Sequence, residues 1–202
     1  MSASYLVPVA PAQVELRFKN SRFIGLSGPA TTPEEAKAFI AAARRDYPDA
    51  SHHVYAFAAG YGNTVQCGMS DDGEPSGTAG RPALAVVQGA EMGDVVVVLV
   101  RYFGGTKLGT GGLVKAYTET AQAALAALQC RTKVQWLDGR LMVPYPLHGA
   151  CRVVCEGKGA VIEAENFAAR VEMRLSLAAE DWDALAAAVR DLSAGRIQLE
   201  RL

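Results

Sequence analysis

Apolar and polar residues alternate over 13–18 and again over 22–27, with Lys19-Asn20-Ser21 between them, and this period of two predicts a pair of strands joined by a turn. Thr32-Pro33-Glu34-Glu35 follows as a helix start: Thr32 is placed to cap, Pro33 suits the first helical position and Glu35 completes a capping box. The stripe Ala36, Phe39, Ile40, Ala43, Tyr47 gives that helix a core face, and Pro48 ends it. His53 to Ala59 reads as a strand, with a turn at Gly60, Gly62 and Asn63, and residues 68–80 read as a long polar, glycine-rich loop. A second helix is predicted over 82–89. Val95 to Val100 has the unbroken β-branched character of a strand buried on both faces, and a third helix runs over 113–129.

Near residue 135 the texture changes. The remaining chain reads strand (139–145), helix (147–157), two strands (159–165 and 168–177), helix (180–193) and strand (196–201). That βαββαβ order is the ferredoxin-like plan. A boundary at about 132–138 divides the 202 residues into domains of 1–134 and 135–202, and the fold class is α+β.

Charge sharpens this division. Residues 1–135 carry 12 basic and 11 acidic groups, and residues 136–202 carry 8 and 10, so a total of −1 conceals +1 followed by −2. No bulk basic excess exists, and any contact with nucleic acid has to come from a local patch. The longest apolar runs are six residues, Val95 to Val100 and Ala123 to Leu128 among them. A membrane-spanning helix needs about 18. The start of the chain has no basic residue before Arg17, which argues against an export signal and for a cytoplasmic location. The four cysteines, Cys67, Cys130, Cys151 and Cys155, are too sparse for a disulfide scaffold and read as buried free thiols.

Two loops carry the candidate chemistry. Between Arg101 and Lys115 a buried strand runs into five glycines (Gly104, Gly105, Gly109, Gly111, Gly112), and a helix opens directly behind them. Amides at a helix N-terminus favour an anion, and Arg101, Lys107 and Lys115 add full charges. The competing explanation is a tight connection that needs positive φ. The spacing fits neither a P-loop nor a dinucleotide fingerprint. The second loop, Ser70 to Gly80, holds Asp71, Asp72 and Glu74. These carboxylates can cap amides, pair with Arg101 and Lys107, gather a divalent ion or do acid–base work. His52 and His53 are adjacent on a strand, so at most one joins a given site.

Ser70-Asp-Asp-Gly-Glu-Pro-Ser-Gly-Thr-Ala-Gly80 and Val100-Arg-Tyr-Phe-Gly-Gly-Thr-Lys-Leu-Gly-Thr-Gly-Gly-Leu-Val-Lys-Ala-Tyr117 closely resemble the signatures of the IMPACT family, as do Lys19-Asn20-Ser21-Arg22-Phe23-Ile24 and Ala50-Ser51-His52. The match spans about residues 15–130, and the tail resembles that of the family's bacterial, YigZ-type branch. The resemblance implies an N-terminal ribosomal-protein-like α/β sandwich, a sheet flanked by helices with a left-handed crossover. It further implies a ferredoxin-like tail like the last domain of the translocating elongation factor, and an association with RNA or ribosomes. Residues in matching motif positions are Arg22, His52, Asp71, Asp72, Glu74, Arg101, Tyr102, Lys107 and Lys115; Thr106 departs from the aliphatic residue common there.

The combined expectation is a non-enzymatic regulator of translation that binds RNA or the ribosome. Arg101, Lys107 and Lys115 meet phosphates with amides from Gly109 to Gly112 beside them, Tyr102 stacks on a base, and Arg22, Gly104 and Gly105 complete the nucleic-acid-binding set. His52, Asp71, Asp72 and Glu74 position the loops. No catalytic residue, metal ligand or cofactor is assigned, and a protein partner is expected through residues 135–202. The alternatives are a metal-dependent enzyme acting on a phosphorylated small molecule, with Asp71, Asp72 and Glu74 around the ion, and a protein-interaction module without RNA contact.

Overall fold

The computed structural model describes residues 4–62 and 65–202; the turn expected at Asn63 lies outside them. Five antiparallel strands form the first sheet in the order β2-β3-β6-β4-β5: β2 (Ala12–Phe18), β3 (Ser21–Pro29), β4 (His52–Ala59), β5 (Gln66–Ser70) and β6 (Val95–Tyr102). The β-branched run becomes the central strand, hydrogen-bonded to β3 on one side and β4 on the other. Alternation splits its side chains between two cores. Val96, Val98 and Val100 pack with Ile40 and Ala43 of α1 (Pro33–Asp46). Val95, Val97 and Leu99 face Ala83 and Val87 of α2 (Gly80–Gly89) and Leu113, Tyr117 and Ala121 of α3 (Gly109–Ala126). The α1 start matches its sequence signals: Thr32 Oγ1 accepts the Glu35 N–H, and Glu35 accepts from Thr31.

Several elements differ from expectation. Helix α3 begins at Gly109 rather than Leu113, because packing of its later turns against the sheet outweighs the poor helix propensity of its glycines. Three strands have too weak an alternation to be foreseen: β5, β1 (Ser4–Pro8) and β7 (Cys130–Val134). The last two pair into a separate two-stranded sheet. Asp94, 3% exposed, secures it: its carboxylate accepts from Lys133 Nζ at 2.7 Å, Tyr5 Oη at 3.2 Å and the Gly60 N–H at 2.9 Å. Hydrogen bonding to Asp94 raises the pKa of Lys133 above the usual lysine range.

A compact unit of residues 5–133 contains these elements apart from the end residues Ser4 of β1 and Val134 of β7, which group with the rest of 134–202 in a second one. The second unit holds β8 (Trp136–Val143), α4 (His148–Gly157), β9 (Val161–Phe167), β10 (Val171–Ala178), α5 (Trp182–Leu192) and β11 (Glu200–Arg201). Its antiparallel sheet order β11-β8-β10-β9 is the ferredoxin-like arrangement. Leu141, Met173, Leu175 and Leu177 meet Cys151, Cys155, Leu185 and Val189 in its core. The strand expected over 196–201 shrinks to two residues, because the Ile197 N–H bonds Ser193 Oγ and folds the chain back on the end of α5. Burial raises both Cys151 and Cys155, the latter to about 11, so these thiols are inert core. Cys67, expected to be buried, is exposed on β5. Among the described residues no helix is long and apolar enough to cross a membrane.

Replacing Asp94 with Ala is expected to lower stability by about 2–3 kcal/mol in urea unfolding, since it strands the part-buried Gly60 N–H, the Tyr5 hydroxyl and the Lys133 ammonium. Asp94→Asn should cost less, because it keeps an acceptor and tolerates the φ of 54° at this position.

Candidate functional site

Where β6 ends, alternation sends Arg101 toward α2 and α3 and Tyr102 toward α1. Arg101 is buried, and its Nη1 donates to Glu74 Oε1 at 2.5 Å, the two side chains being 6% and 3% exposed. Tyr117 of α3 donates its hydroxyl to the same oxygen at 2.7 Å. Burial, and then the negative Glu74, push this phenol far above its ordinary range, so it remains a donor. The Arg101 guanidinium also lies 5.5 Å from the Phe23 ring centroid and 5.6 Å from that of Phe103, and Ser21 Oγ accepts from its Nη2.

The three clustered carboxylates take three separate partners. Asp71 accepts the N–H groups of Gly77, Ala79 and Gly80 at 2.8, 3.1 and 2.8 Å, closing the loop onto the start of α2. Burial opposes its ionisation, but these three donors outweigh that and leave its pKa below the ordinary value. Asp72 accepts Arg44 Nη2 on Oδ1 at 2.5 Å and the His53 N–H on Oδ2 at 2.6 Å, tying the loop to α1 and β4. Glu74 belongs to Arg101. Among the described residues no three His, Cys, Asp or Glu side chains are grouped to hold a metal ion. The alternative of a divalent ion between Asp71, Asp72 and Glu74 therefore has no geometry behind it.

A cavity of about 390 Å³ opens where the two loops meet. His52, Glu74 and Arg101 line its buried part; His52 reaches it because it pairs with Arg101 across β4 and β6 and so shares a face. Lys107, Gly109 and Thr110 are exposed at its rim, and Pro75, Phe103, Leu108 and Leu113 supply apolar wall. No side chain caps the first turn of α3, and no acidic residue stands in it. Its N–H groups and the positive end of the helix dipole thus lie at the rim beside Lys107. Lys19 Nζ donates to the Lys107 carbonyl at 3.2 Å, which anchors this stretch to the β2–β3 turn.

The single basic cluster expected from the sequence is corrected by this geometry. Arg101 is an ion-paired core residue rather than a free cation. Arg22 bonds Glu15 at 2.8 Å and lies 5.5 Å over the Tyr102 ring, while Tyr102 donates to Asp49 at 2.8 Å. Both belong to the α1 side of the sheet, and one face of the Tyr102 ring is already covered. Lys115 points to solvent, 3.8 Å from Glu119 one turn on. Of the expected cations, Lys107 alone is an exposed lining residue of the cavity.

The glycines separate as well. A Cβ on Gly104 would collide with the Asn20 carbonyl, and Gly105 and Gly109 have φ of 79° and 76°, so plain chain geometry explains these three. Gly112 packs against Leu108, whereas Gly111 faces open space in the first turn of α3. Sequence reasoning passed over Phe103 and Thr110, although both stand inside the motif that it singled out. For Tyr117, nothing local in the sequence shows that its hydroxyl reaches Glu74.

Comparisons with known proteins fall on the same segments. Residues 19–125 match the family described as Impact N-terminal domain, and residues 141–196 match Domain of unknown function (DUF1949). The chain is 40% identical over 198 residues to the IMPACT family member YigZ of Escherichia coli (strain K12), covering 97% of each. It is 36% identical over 201 residues to an IMPACT family member of Haemophilus influenzae, covering 99% of this chain and 98% of that one. A crystal structure described as that of a hypothetical protein superposes with a TM-score of 0.68 at 37% identity, covering 100% of this chain and 98% of that one.

Removing the charge opposite Arg101 in Glu74→Gln is expected to destabilise the protein by about 3 kcal/mol, and Tyr117→Phe by about 1–2 kcal/mol, in urea unfolding. The double variant should cost less than the sum of the two, because both changes act on one oxygen. Asp71 has its pKa lowered on folding, so its contribution is complete above the ordinary aspartate pKa and fades as pH falls through the lowered one. Thermal melts of wild type and Asp71→Asn should therefore differ near neutral pH and converge in acid.

Proposed function

The chain belongs to the IMPACT family, and from that premise we propose that it binds RNA on or near the ribosome and so modulates translation. The observation that carries this reading is the cavity rim. Lys107, the uncapped first turn of α3 and the half-exposed ring of Phe103 stand together there. A cation and oriented amides suit a phosphate, and an aromatic face suits a base. The ion pair beneath is an internal support that leaves this rim open. Residues 134–202 expose Trp136, Tyr145 and Phe167, apolar surface for the protein partner that belongs to the same proposal.

Fluorescence anisotropy with single-stranded RNA across a salt series tests the reading. Affinity should fall as salt rises. Lys107→Ala should weaken binding and reduce the log–log salt slope by about 1, the signature of one lost phosphate contact. Phe103→Ala should weaken binding by about tenfold, with little change in slope. Absence of binding, or binding indifferent to salt, would sink the proposal.

A further inference from the structure

The buried end of the cavity presents two acceptors with no donor between them. His52 Nδ1 lies 2.9 Å from the Asp72 carbonyl oxygen, and a carbonyl only accepts, so Nδ1 carries the ring proton. With the proton on Nδ1, Nε2 is the ring's acceptor, and it stands 3.8 Å from Glu74 Oε1. That carboxylate oxygen is itself an acceptor, already held from behind by Arg101 and Tyr117. His52 is part-buried and Glu74 buried, and a ligand group that brings protons suits the two acceptors together. Two adjacent hydroxyls have the complementary pattern, one donor for the imidazole and one for the carboxylate.

The rim makes the opposite demand. Arg101 and Lys107 against Glu74 leave the lining at +1, and the free end of the α3 dipole adds to it. An anion is favoured there, within reach of Lys107, Thr110 and the first-turn amides. Phe103, Leu108 and Pro75 give apolar wall for a flat ring. A volume of about 390 Å³ suits one small ligand rather than a stretch of polymer. Buried Glu74 and Arg101 line its inner end, which suits the terminus of a chain better than a stretch running through.

We infer that the cavity binds a single ribonucleotide with a free 2′,3′-diol. The diol bonds His52 Nε2 and Glu74, the base lies against Phe103, and the 5′-phosphate sits at Lys107 and the start of α3. A ribonucleoside 5′-monophosphate carries these groups, and so does the 3′-terminal nucleotide of an RNA, whose chain leaves through the mouth at its 5′-phosphodiester. For the second source the inference rests on the RNA-binding reading above; for the first it stands without it.

The test uses the full chain and one short 5′-labelled RNA made with three ends: a 2′,3′-diol, a 3′-phosphate and a 2′-deoxy terminal nucleotide. Titrations with AMP and dAMP form the second arm. The diol end should bind about tenfold more tightly than the phosphate end, with the deoxy end between them, and AMP should bind more tightly than dAMP. His52→Ala should erase the discrimination among ends, whereas Lys107→Ala should weaken all three alike and preserve it. Should His52→Ala fail to fold, the wild-type comparison of the three ends and the two mononucleotides still decides the matter. Equal affinity for all three ends, together with no preference for AMP over dAMP, overturns the inference and leaves salt-dependent RNA binding intact. A preference for AMP over dAMP with no RNA binding upholds the mononucleotide site and overturns the RNA reading. No binding of any of these probes overturns both.

Discussion

A buried ion pair, Arg101 with Glu74, is the constraint on which the rest of the N-terminal unit's chemistry depends. Glu74 comes from a stretch with no regular structure, and the pair draws that stretch against the end of the central strand. A buried charge with its partner removed is costly, so the loop cannot lift away without exposing Arg101 to that cost. Tyr117 adds a third member from the middle of a helix, and strand, loop and helix thereby share one oxygen atom. Asp71 and Asp72 then shape the loop between its fixed points, one closing it on itself and one fastening it to α1 and β4. The three neighbouring carboxylates do three jobs because the backbone turns between them, with φ of 44° at Asp72 and 86° at Gly73.

Register turns this anchor into a cavity. His52 faces Arg101 across β4 and β6, and the next pair, His53 and Val100, faces the opposite core. A slip of one residue would exchange the two histidines and bury the wrong ring. The same alternation turns Tyr102 away from Arg101, its neighbour in sequence, and Arg22, paired with Tyr102 across β3 and β6, goes to that other face with it. Proximity in sequence along a strand is therefore a poor guide to proximity at a site.

Where the sequence carried strong local signals, the elements could be read directly. The Thr32 cap, the run from Val95 and the βαββαβ order of the tail all have mechanisms that act within a few residues. Strands β1, β5 and β7 are illegible because each is only five residues long, with too weak an alternation to stand out, and forms through its pairing partner. The site was half legible. Glycines and lysine at a helix start mark a place where an anion can settle, and Lys107, Gly109 and Thr110 stand there. The destination of Arg101 was not legible, since it depends on which carboxylate of three reaches it through space. Nor was the facing of His52 Nε2 and Glu74 Oε1, which arises only after two loops and two strands have met.

Gly104 has a consequence for anyone who would cut or rejoin this chain. Its backbone rests so closely on Asn20 that no side chain fits between them, and Lys19 reaches across 88 positions to hold the Lys107 carbonyl. The hairpin turn at 19–21 and the loop at 103–110 thus behave as one piece of machinery, though the sequence separates them widely. The turn looks like an ordinary surface connection, the sort usually chosen for a new terminus, a tag or an inserted domain. Placed there, such an insertion would displace the rim of the cavity while leaving both hydrophobic cores whole. The result would be a well-folded protein with a blunted site, and a fold assay alone would not reveal the damage.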